Sequence, residues 1–229
     1  MSTVISLTTI PSRIANLERC VKSLVAQGPP VYVWLPRYVE RIDAGFDEVP
    51  GFLRELDVHV EIVEDRGSAT KLLPALERFD TVLTADDDHV YGEGWAAGLL
   101  AWAKKRPRAA LGYRGRRFGP NLRYNKSRVI KGPKKPKRVD LITGVWGALY
   151  RRELFSDSIF EEWQECPRTD DIIFSGHLWR RGVSMLVIPK RCSIRRMDAH
   201  KIDPLYAENV HGKRLNDEGL RKCYRGWQR

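Results

Sequence analysis

The chain has 229 residues, of which 42% are hydrophobic and 10% aromatic, and it carries a formal net charge of +11 at pH 7. This size suits one domain, and no apolar run approaches the roughly 18–20 residues that a membrane-spanning helix needs. The excess of Lys and Arg favours anionic partners such as nucleotides, nucleic acid or an anionic membrane surface.

The cysteines and the N-terminus indicate the expected compartment. Cys20, Cys166, Cys192 and Cys223 are far apart and form no CxxC pair. We expect reduced thiols in a cytoplasmic protein and no zinc site. The opening stretch, MSTVISLTTIPSRI, lacks the basic start and long apolar core of a signal peptide, and it predicts a first strand instead.

The first 105 residues predict strands that alternate with helices. Apolar residues at helical spacing predict helices, and short β-favouring runs predict strands. The predicted strands are Val4 to Leu7, Val31 to Leu35, Val58 to Val63 and Thr81 to Thr84, and the predicted helices are Ser12 to Gln27, Ala69 to Phe79 and Glu93 to Lys105. Such alternation is typical of βαβ units in a mainly parallel sheet.

Residues 106–138 differ in character from the rest. Lys and Arg are dense, and no acidic residue occurs between Glu93 and Asp140. The stretch GPKKPKR, from Gly132 to Arg138, cannot form a regular helix or a central strand. We expect 106–138 to be a mobile basic loop.

A second structured part is predicted from Val139 onward. It contains an apolar run to Tyr150, a helix that opens over Arg151 to Phe155, a helix from Thr169 to Arg181 and a strand from Val183 to Ile188. The tail is polar and basic, and Trp227 is expected to pack back on the domain.

Three consecutive aspartates, Asp86, Asp87 and Asp88, follow the predicted strand Thr81 to Thr84. An unpaired carboxylate is costly to bury, so these side chains need cations or open water. The carboxyl end of a strand in an α/β sheet is the usual ligand crevice, where a divalent metal is the natural cation. The alternative is an Asp-rich turn on the surface.

Two basic clusters could converge on these aspartates. Thr9, Pro11 and Arg13 belong to a hydroxyl-rich turn at a helix start, which favours anions such as phosphate. Lys71 lies one turn into the helix that follows Asp65 and the Gly67-Ser68 turn, where the backbone can approach a ligand. The alternative for the first cluster is a simple helix cap, and the alternative for Lys71 is a solvated lysine on a helix surface.

Two further clusters carry an acid pair and a histidine. Asp170 and Asp171 open a predicted helix, whose dipole accounts for one acid as a cap but does not require two. His200, in the sequence MDAH, follows a strand and is a possible metal ligand, although a lone histidine is more often a surface or core residue.

The order of these segments resembles the GT-A-fold nucleotide-sugar glycosyltransferases, most closely the family-2-type enzymes. SLTTIPSR is similar to the first nucleotide-binding loop, EDRGSATKLLPAL to the second nucleotide-contacting segment, and TADDDHVY to the DxD motif. TDDIIFSGHLWRRG resembles the Glu-Asp motif of inverting members, with Asp in place of Glu. MDAH resembles the Met-x-x-His of β-1,4-galactosyltransferases. The resemblance covers about residues 3 to 200.

The resemblance implies a single α/β domain of the GT-A, Rossmann-like type, with a mainly parallel central sheet flanked by helices. Residues 1–105 would be the nucleotide-sugar-binding half, 106–138 the basic loop, and 139–229 the acceptor-binding half and tail. The implied partners are a nucleoside-diphosphate sugar donor and a glycan or lipid-linked acceptor. From its charge, the basic loop is expected either to make peripheral contact with the inner, anionic membrane face and hold an anionic acceptor there, or to close over the donor diphosphate. No nucleic acid is expected as a partner.

The resemblance also implies a role for each cluster. Asp88 and Asp86, completed by His200, would hold Mn²⁺ or Mg²⁺. Asp171 would be the general base and Asp170 would orient the acceptor, while a retaining outcome stays open. The implied donor-binding residues are Thr9, Pro11, Arg13, Asp65, Lys71, Asp86 and Asp87, and the implied acceptor-binding residues are Gly144 and Trp146. An ordinary core role is the alternative for Trp146.

Two other functions compete with this interpretation. Tyr113, Phe118 and Tyr124 are interleaved with arginines, a pattern that fits stacking on single-stranded nucleic acid. A nucleotidyltransferase would also use metal-binding carboxylates on an α/β sheet, but the Gly-rich phosphate loop diagnostic of that class is absent after the first strand.

Overall fold

The computed structural model describes residues 2–166, 168–204 and 215–227. The strands in these ranges are β1 (Thr3–Thr8), β2 (Val31–Pro36), β3 (His59–Val63), β4 (Thr81–Thr84), β5 (His89–Tyr91), β6 (Ala109–Gly112), β7 (Arg114–Arg117), β8 (Arg128–Lys131), β9 (Lys137–Arg138), β10 (Leu141–Ile142), β11 (Ala148–Arg151), β12 (Ser184–Val187) and β13 (Ile194–Arg196). The α-helices are α1 (Ile14–Val25), α2 (Gly51–Arg54), α3 (Leu73–Leu76), α4 (Trp95–Lys105), α5 (Ile159–Glu162), α6 (Asp170–Arg180) and α7 (Leu215–Cys223).

The central sheet has eight strands in the order β3-β2-β1-β4-β11-β6-β12-β9. Neighbours from β3 to β4 run parallel, as do β6 and β12, whereas β11 lies antiparallel between β4 and β6. The α/β fold with a central sheet flanked by helices is confirmed, and the sheet is mixed. Because the chain passes from β1 to β2 on one side and returns to β4 on the other, the carboxyl ends of β1 and β4 form the crevice where ligands bind in such sheets.

Alternation along β1 divides the core into two layers. Ile5 and Leu7 belong to the cluster that α1 covers with Leu17 and Leu24, and Val4 belongs to the cluster on the opposite face. Burying a leucine of this kind contributes roughly 1.5–3 kcal/mol. The sheet is therefore held from both faces, which leaves its carboxyl edge as the place for a site.

Two predicted helices differ in the structure. The stretch predicted as a helix from Ala69 to Phe79 is a 3-10 turn, Ala69–Lys71, followed by the short α3. Pro74 lacks the backbone N–H that one continuous helix would need, which explains the break. The predicted helix opening over Arg151 to Phe155 is wrong: Arg151 ends β11 and Arg152–Leu154 form a 3-10 turn.

The expectation of a loop over 106–138 is wrong for much of its length. Strand β6, with the short sequence AALG, is buried in the central sheet, and β7 pairs with β8 and β10 in a second sheet. An apolar run of four residues is too short to assign by periodicity, and both core layers stabilise it as a strand. Strand β9 is an edge strand, as the prolines around it require. Mobility of the basic residues stays a prediction.

Residues near the C-terminus pack on the second half of the domain. Trp227 makes ring contacts with Phe118, Trp179 and Tyr224, so its predicted packing is confirmed. The four cysteines are free thiols. Within the described ranges, no helix combines the length and apolar character needed to cross a bilayer.

Candidate active site

A cavity of about 550 Å³ opens at the carboxyl ends of β1 and β4. Most of the residues that the sequence singled out line it: Thr9, Arg13, Asp65, Lys71, Asp86, Asp87, Asp88, Asp170, Asp171 and His200. The turn after β1, the segment after β3, the aspartates after β4 and the start of α6 therefore meet, although Thr9 and Asp171 are 162 residues apart in sequence. Pro11, Gly144 and Trp146 are not lining residues.

Asp87 is held inside the protein by the turn after β1. Thr9 Oγ1 donates a hydrogen bond to Asp87 Oδ2 at 2.7 Å, and Arg13 Nη1 donates to Asp87 Oδ1 at 3.0 Å. Burial raises the pKa of Asp87, and the charge of Arg13 opposes that rise. Arg13 Nε also donates to the carbonyl of Ile202 at 2.9 Å. Asp87 and Arg13 therefore tie the first loop to the segment that contains His200.

Lys71 connects the two acidic clusters. Its Nζ lies 2.8 Å from Asp86 Oδ1 and 3.0 Å from Asp170 Oδ2, and only 11% of its side chain is exposed. Burial by itself lowers the pKa of Lys71, but the charges of Asp170, Asp86 and Asp171 outweigh it and raise the pKa well above its usual range. Lys71 is thus a permanent cation between the two halves of the site.

Asp86, Asp88 and His89 form a cluster that could hold a metal ion, with one ligand atom from each residue and all three atoms within 4.8 Å of one another. Two ligands of one small divalent ion lie at most roughly 4.2 Å apart, so the set fits with small adjustments. His89 is 1% exposed, and its Nδ1 is 2.5 Å from Asp88 Oδ1. Although burial raises the pKa of Asp88, the hydrogen bond and charge of His89 lower it overall.

The sequence interpretation missed His89. The only signal was its position directly after the aspartates, and alternation along a three-residue strand does not show which way its ring points. His200, which was expected to complete the metal site, lines the same cavity but is not a member of this cluster. Its Nδ1 donates to the carbonyl of Met197 at 2.7 Å, which leaves Nε2 as the nitrogen with a lone pair when the ring is neutral.

Asp171 lines the cavity from the start of α6. Its Oδ1 accepts a hydrogen bond from the backbone N–H of Gly144 at 2.8 Å. Burial, followed by the charge of Asp170, raises the pKa of Asp171 to about 7, against the opposing effect of Lys71. This carboxyl group can therefore exchange a proton near neutral pH.

The turn after β3 places polar groups along the cavity. Gly67 has a positive φ of 59°, which favours glycine, and its N–H donates to Asp65 Oδ1 at 2.9 Å. Ser68 Oγ is buried and has no hydrogen-bond partner in the described structure. Because an unsatisfied buried hydroxyl is costly, this atom is suited to a ligand's hydrogen bond.

The remaining predicted residues act from outside the cavity. Pro11 begins the 3-10 turn Pro11–Arg13, where its missing N–H costs nothing. Trp146 is partly buried against the core, and its ring lies 6.0 Å from the Arg114 guanidinium carbon and 5.6 Å from Lys190 Nζ. Gly144 donates its backbone N–H to Asp171, and its contact with an acceptor stays a prediction.

Comparisons with known proteins show what the fold of this chain is similar to. No protein-family model matches the chain, and no curated protein sequence matches it either. Among solved structures, it superposes on the crystal structure of GalNAc-T7 with UDP, GalNAc and Mn²⁺ with a TM-score of 0.59. The two sequences are 12% identical, and the match covers 86% of this chain and 44% of the other, so this chain spans less than half of that protein's chain.

The chain has the GT-A fold. The cavity at the carboxyl ends of β1 and β4 occupies the crevice at which an open α/β sheet of this kind binds ligands. Because the fold alone does not determine the function, the activity must be argued from the residues in that crevice.

Proposed function

We propose that the chain is a metal-dependent glycosyltransferase that moves a sugar from a nucleoside-diphosphate donor to a hydroxyl of a glycan or glycolipid acceptor. One observation carries this proposal: the cluster of Asp86, Asp88 and His89 and the carboxyl of Asp171 share one cavity at the carboxyl edge of a GT-A sheet. The UDP, GalNAc and Mn²⁺ in the structure of GalNAc-T7 support a nucleotide sugar and a divalent metal.

The charges that line the cavity support a metal ion. Acidic side chains outnumber basic ones: Glu40, Asp65, Asp86, Asp87, Asp88, Asp170 and Asp171 face Arg13, Arg41, Lys71, Arg168 and Arg196. An anionic diphosphate would be repelled by this surplus unless a cation accompanies it. Asp86, Asp88 and His89 would hold that cation, with His200 as a further ligand, and the imidazole nitrogens favour Mn²⁺ over Mg²⁺. When bound, the ion supplies positive charge that stabilises the leaving diphosphate.

The donor would lie along the first loop and the turn after β3. Ser68 Oγ and the Asp65 carboxylate offer hydrogen bonds to a nucleoside. Arg13 and Thr9 act mainly through Asp87, because their polar atoms already bind that carboxylate. Lys71 keeps Asp86 in place, so its contribution to donor binding is to position a metal ligand.

Asp171 would be the general base of an inverting reaction of the family-2 type. Its carboxylate takes the proton of the acceptor hydroxyl while that oxygen bonds to the anomeric carbon and the bond to the diphosphate breaks. A pKa of about 7 makes Asp171 a stronger base than an ordinary aspartate while keeping much of it ionised near neutral pH. Asp170 is paired with Lys71, which suits it to orient groups rather than to accept a proton.

The aromatic rings on which nucleic-acid bases would stack are covered in this structure. Tyr113 and Phe118 are each 1% exposed, and the ring of Tyr124 is covered by the guanidinium of Arg116 at 4.0 Å. Bases could not stack on rings that are already packed inside the domain. The basic residues around them therefore need another explanation.

Nucleotide binding tests the proposed function. A panel of nucleoside diphosphates is titrated by calorimetry with Mn²⁺ and again with excess chelator. At least one nucleotide should bind only with Mn²⁺, and Asp88→Ala should abolish this binding without lowering the melting temperature. Asp47→Ala, an exposed aspartate outside the cavity, is the matched control and should bind normally. Binding that survives both Asp88→Ala and the chelator would contradict the metal site.

A further inference from the structure

Two arginines on β7 lie beside the candidate active site, and neither has an anionic partner among the residues that the structure describes. Arg114 and Arg116 are two positions apart in a strand, so their side chains leave the same face. Gly115 between them faces the core, where a Cβ would come within 3.0 Å of Val139 and 2.9 Å of Val187. Neither arginine forms an ion pair with any residue in the described ranges.

The guanidinium groups are partly buried and incompletely bonded. In both residues Nε is buried and has no hydrogen-bond partner among the described residues. The side chain of Arg114 makes no hydrogen bond to any described residue, and its guanidinium carbon lies 6.0 Å from the centre of the Trp146 ring. Arg116 Nη1 donates to Ser127 Oγ at 3.0 Å. Burial and the like charge of Arg116 lower the pKa of Arg114. Two like charges held together at a partly desolvated site would be stabilised by an oxyanion between them.

This pair adjoins the proposed base. The carbonyl of Arg114 accepts a hydrogen bond from the N–H of Thr143 at 3.1 Å, and the next residue, Gly144, binds Asp171. The charges of Asp171 and of Arg196, which line the cavity, both act on Arg114. The backbone of Arg114 is therefore joined, through Thr143 and Gly144, to the residue that would receive the acceptor's proton.

We propose that Arg114 and Arg116 form an anion subsite for the acceptor, so that the acceptor sugar carries a carboxylate or phosphate group near the hydroxyl that reacts. The planar guanidinium binds either oxyanion through two parallel hydrogen bonds. The inference rests on the proposed function, because it specifies the class of acceptor for that reaction. Trp146, packed under Arg114, would hold the guanidinium in place rather than stack on a sugar.

Three small probes test the subsite by titration in low-salt buffer without metal. Without the metal ion, the aspartates of the cavity repel anions, so an anion that binds is not held at the metal site. The probes are glucuronic acid, glucose 6-phosphate and neutral glucose, and the two anions distinguish a carboxylate from a phosphate. The unaltered protein should bind at least one anion more tightly than glucose. Arg114→Gln should weaken that binding about tenfold, since it removes a charged hydrogen-bond donor from the oxyanion.

The control is Arg117→Gln, which changes an exposed arginine on the opposite face of the same strand and should leave binding unchanged. Arg116→Gln should also weaken binding, and Arg114→Lys should retain part of it. Equal binding of glucose and both anions, or no effect of Arg114→Gln, would overturn the proposal. Because the side chain of Arg114 makes no hydrogen bond to any described residue, its variants should melt no lower than the unaltered protein.

The same preparations separate this inference from the proposed function. If the anion binds but no nucleotide binds with Mn²⁺, the proposed transferase fails and the anion site remains as a binding site only. If a nucleotide binds with Mn²⁺ but neither anionic probe does, the transferase stands and the anionic acceptor is wrong.

Discussion

The backbone N–H of Gly144 donates a hydrogen bond of 2.8 Å to Asp171 Oδ1. A Cβ at position 144 would lie 3.2 Å from that oxygen and 3.2 Å from Lys71 Nζ. The segment before β11 therefore approaches the proposed base and its neighbouring cation so closely that a side chain at position 144 would have to displace them by a few tenths of an ångström. The position of the base depends on this contact.

Gly144→Ala should lower turnover by about 10- to 100-fold, because a displacement of the base by a fraction of an ångström misaligns the proton transfer. Nucleotide binding with Mn²⁺ should persist, since the metal cluster is untouched. Release of the nucleoside diphosphate during transfer measures the effect. Gly119→Ala is the control, because a Cβ there meets nothing within 4 Å. Normal turnover of Gly144→Ala would show that the contact does not position the base.

Asp171→Asn keeps the shape of the side chain but removes its ability to accept a proton. Turnover should fall by about 10²- to 10⁴-fold while nucleotide affinity is retained. Asp170→Asn is the paired variant, and it should reduce turnover less because Asp170 is already bound to Lys71. If Asp170→Asn is the inactive variant and Asp171→Asn is active, the base is the other member of the pair.

The pKa of Asp171 predicts the pH dependence of both activity and stability. Activity should rise with pH through about 7, because only the carboxylate is a base. The same shift affects stability. Between pH 3.8 and about 7, the Asp171 carboxyl keeps its proton in the folded protein, whereas in the unfolded chain it has already lost it. The free energy of unfolding therefore loses a contribution as the pH rises through this window.

Thermal melting checks the sign of this effect. At pH 8, Asp171→Asn should melt at a higher temperature than the unaltered protein, because a neutral amide carries no buried charge. The difference should disappear near pH 4, where both forms are neutral. A lower melting temperature for Asp171→Asn at pH 8 would contradict the raised pKa.

Lys71→Met should destabilise the fold strongly, because it leaves Asp86 and Asp170 without their cation. Removing one partner of a buried ion pair typically costs about 3–5 kcal/mol. Lys22→Met, which breaks the exposed pair with Glu18, is the control and should cost about 0–1 kcal/mol. Chemical denaturation measures both. The double variant with Asp170→Asn should recover part of the loss, and equal costs at positions 71 and 22 would contradict the buried role.

The basic residues of 131–138 should bind anionic membranes. Lys131, Lys134, Lys135, Lys137 and Arg138 are all exposed, and each cation near an anionic surface contributes about 1 kcal/mol. The protein should co-sediment with anionic liposomes at low salt and not with neutral ones, and replacing the five residues with Ser should abolish this binding. An absence of binding at low salt would leave closure over the donor as the role of this segment.

Features of this protein that depend on local patterns could be predicted from its residues. The alternation of strands and helices up to α4 follows from hydrophobic periodicity, and the position of Asp86 to Asp88 at a crevice follows from their place directly after β4. The Gly67 turn and the start of α6 could also be predicted, because glycine, proline and capping acids act over a few residues.

Which of these groups meet became clear from the three-dimensional fold. The pairing of Lys71 with Asp86 and Asp170, the contact of Gly144 with Asp171 and the contribution of His89 depend on distances between elements that the sequence does not encode locally. Strand β6 and the face of β7 that carries Arg114 and Arg116 could not be predicted from the sequence for the same reason. Short, weakly periodic stretches become strands when neighbouring strands and both core layers stabilise them, and a basic run can then supply strands to an ordered sheet.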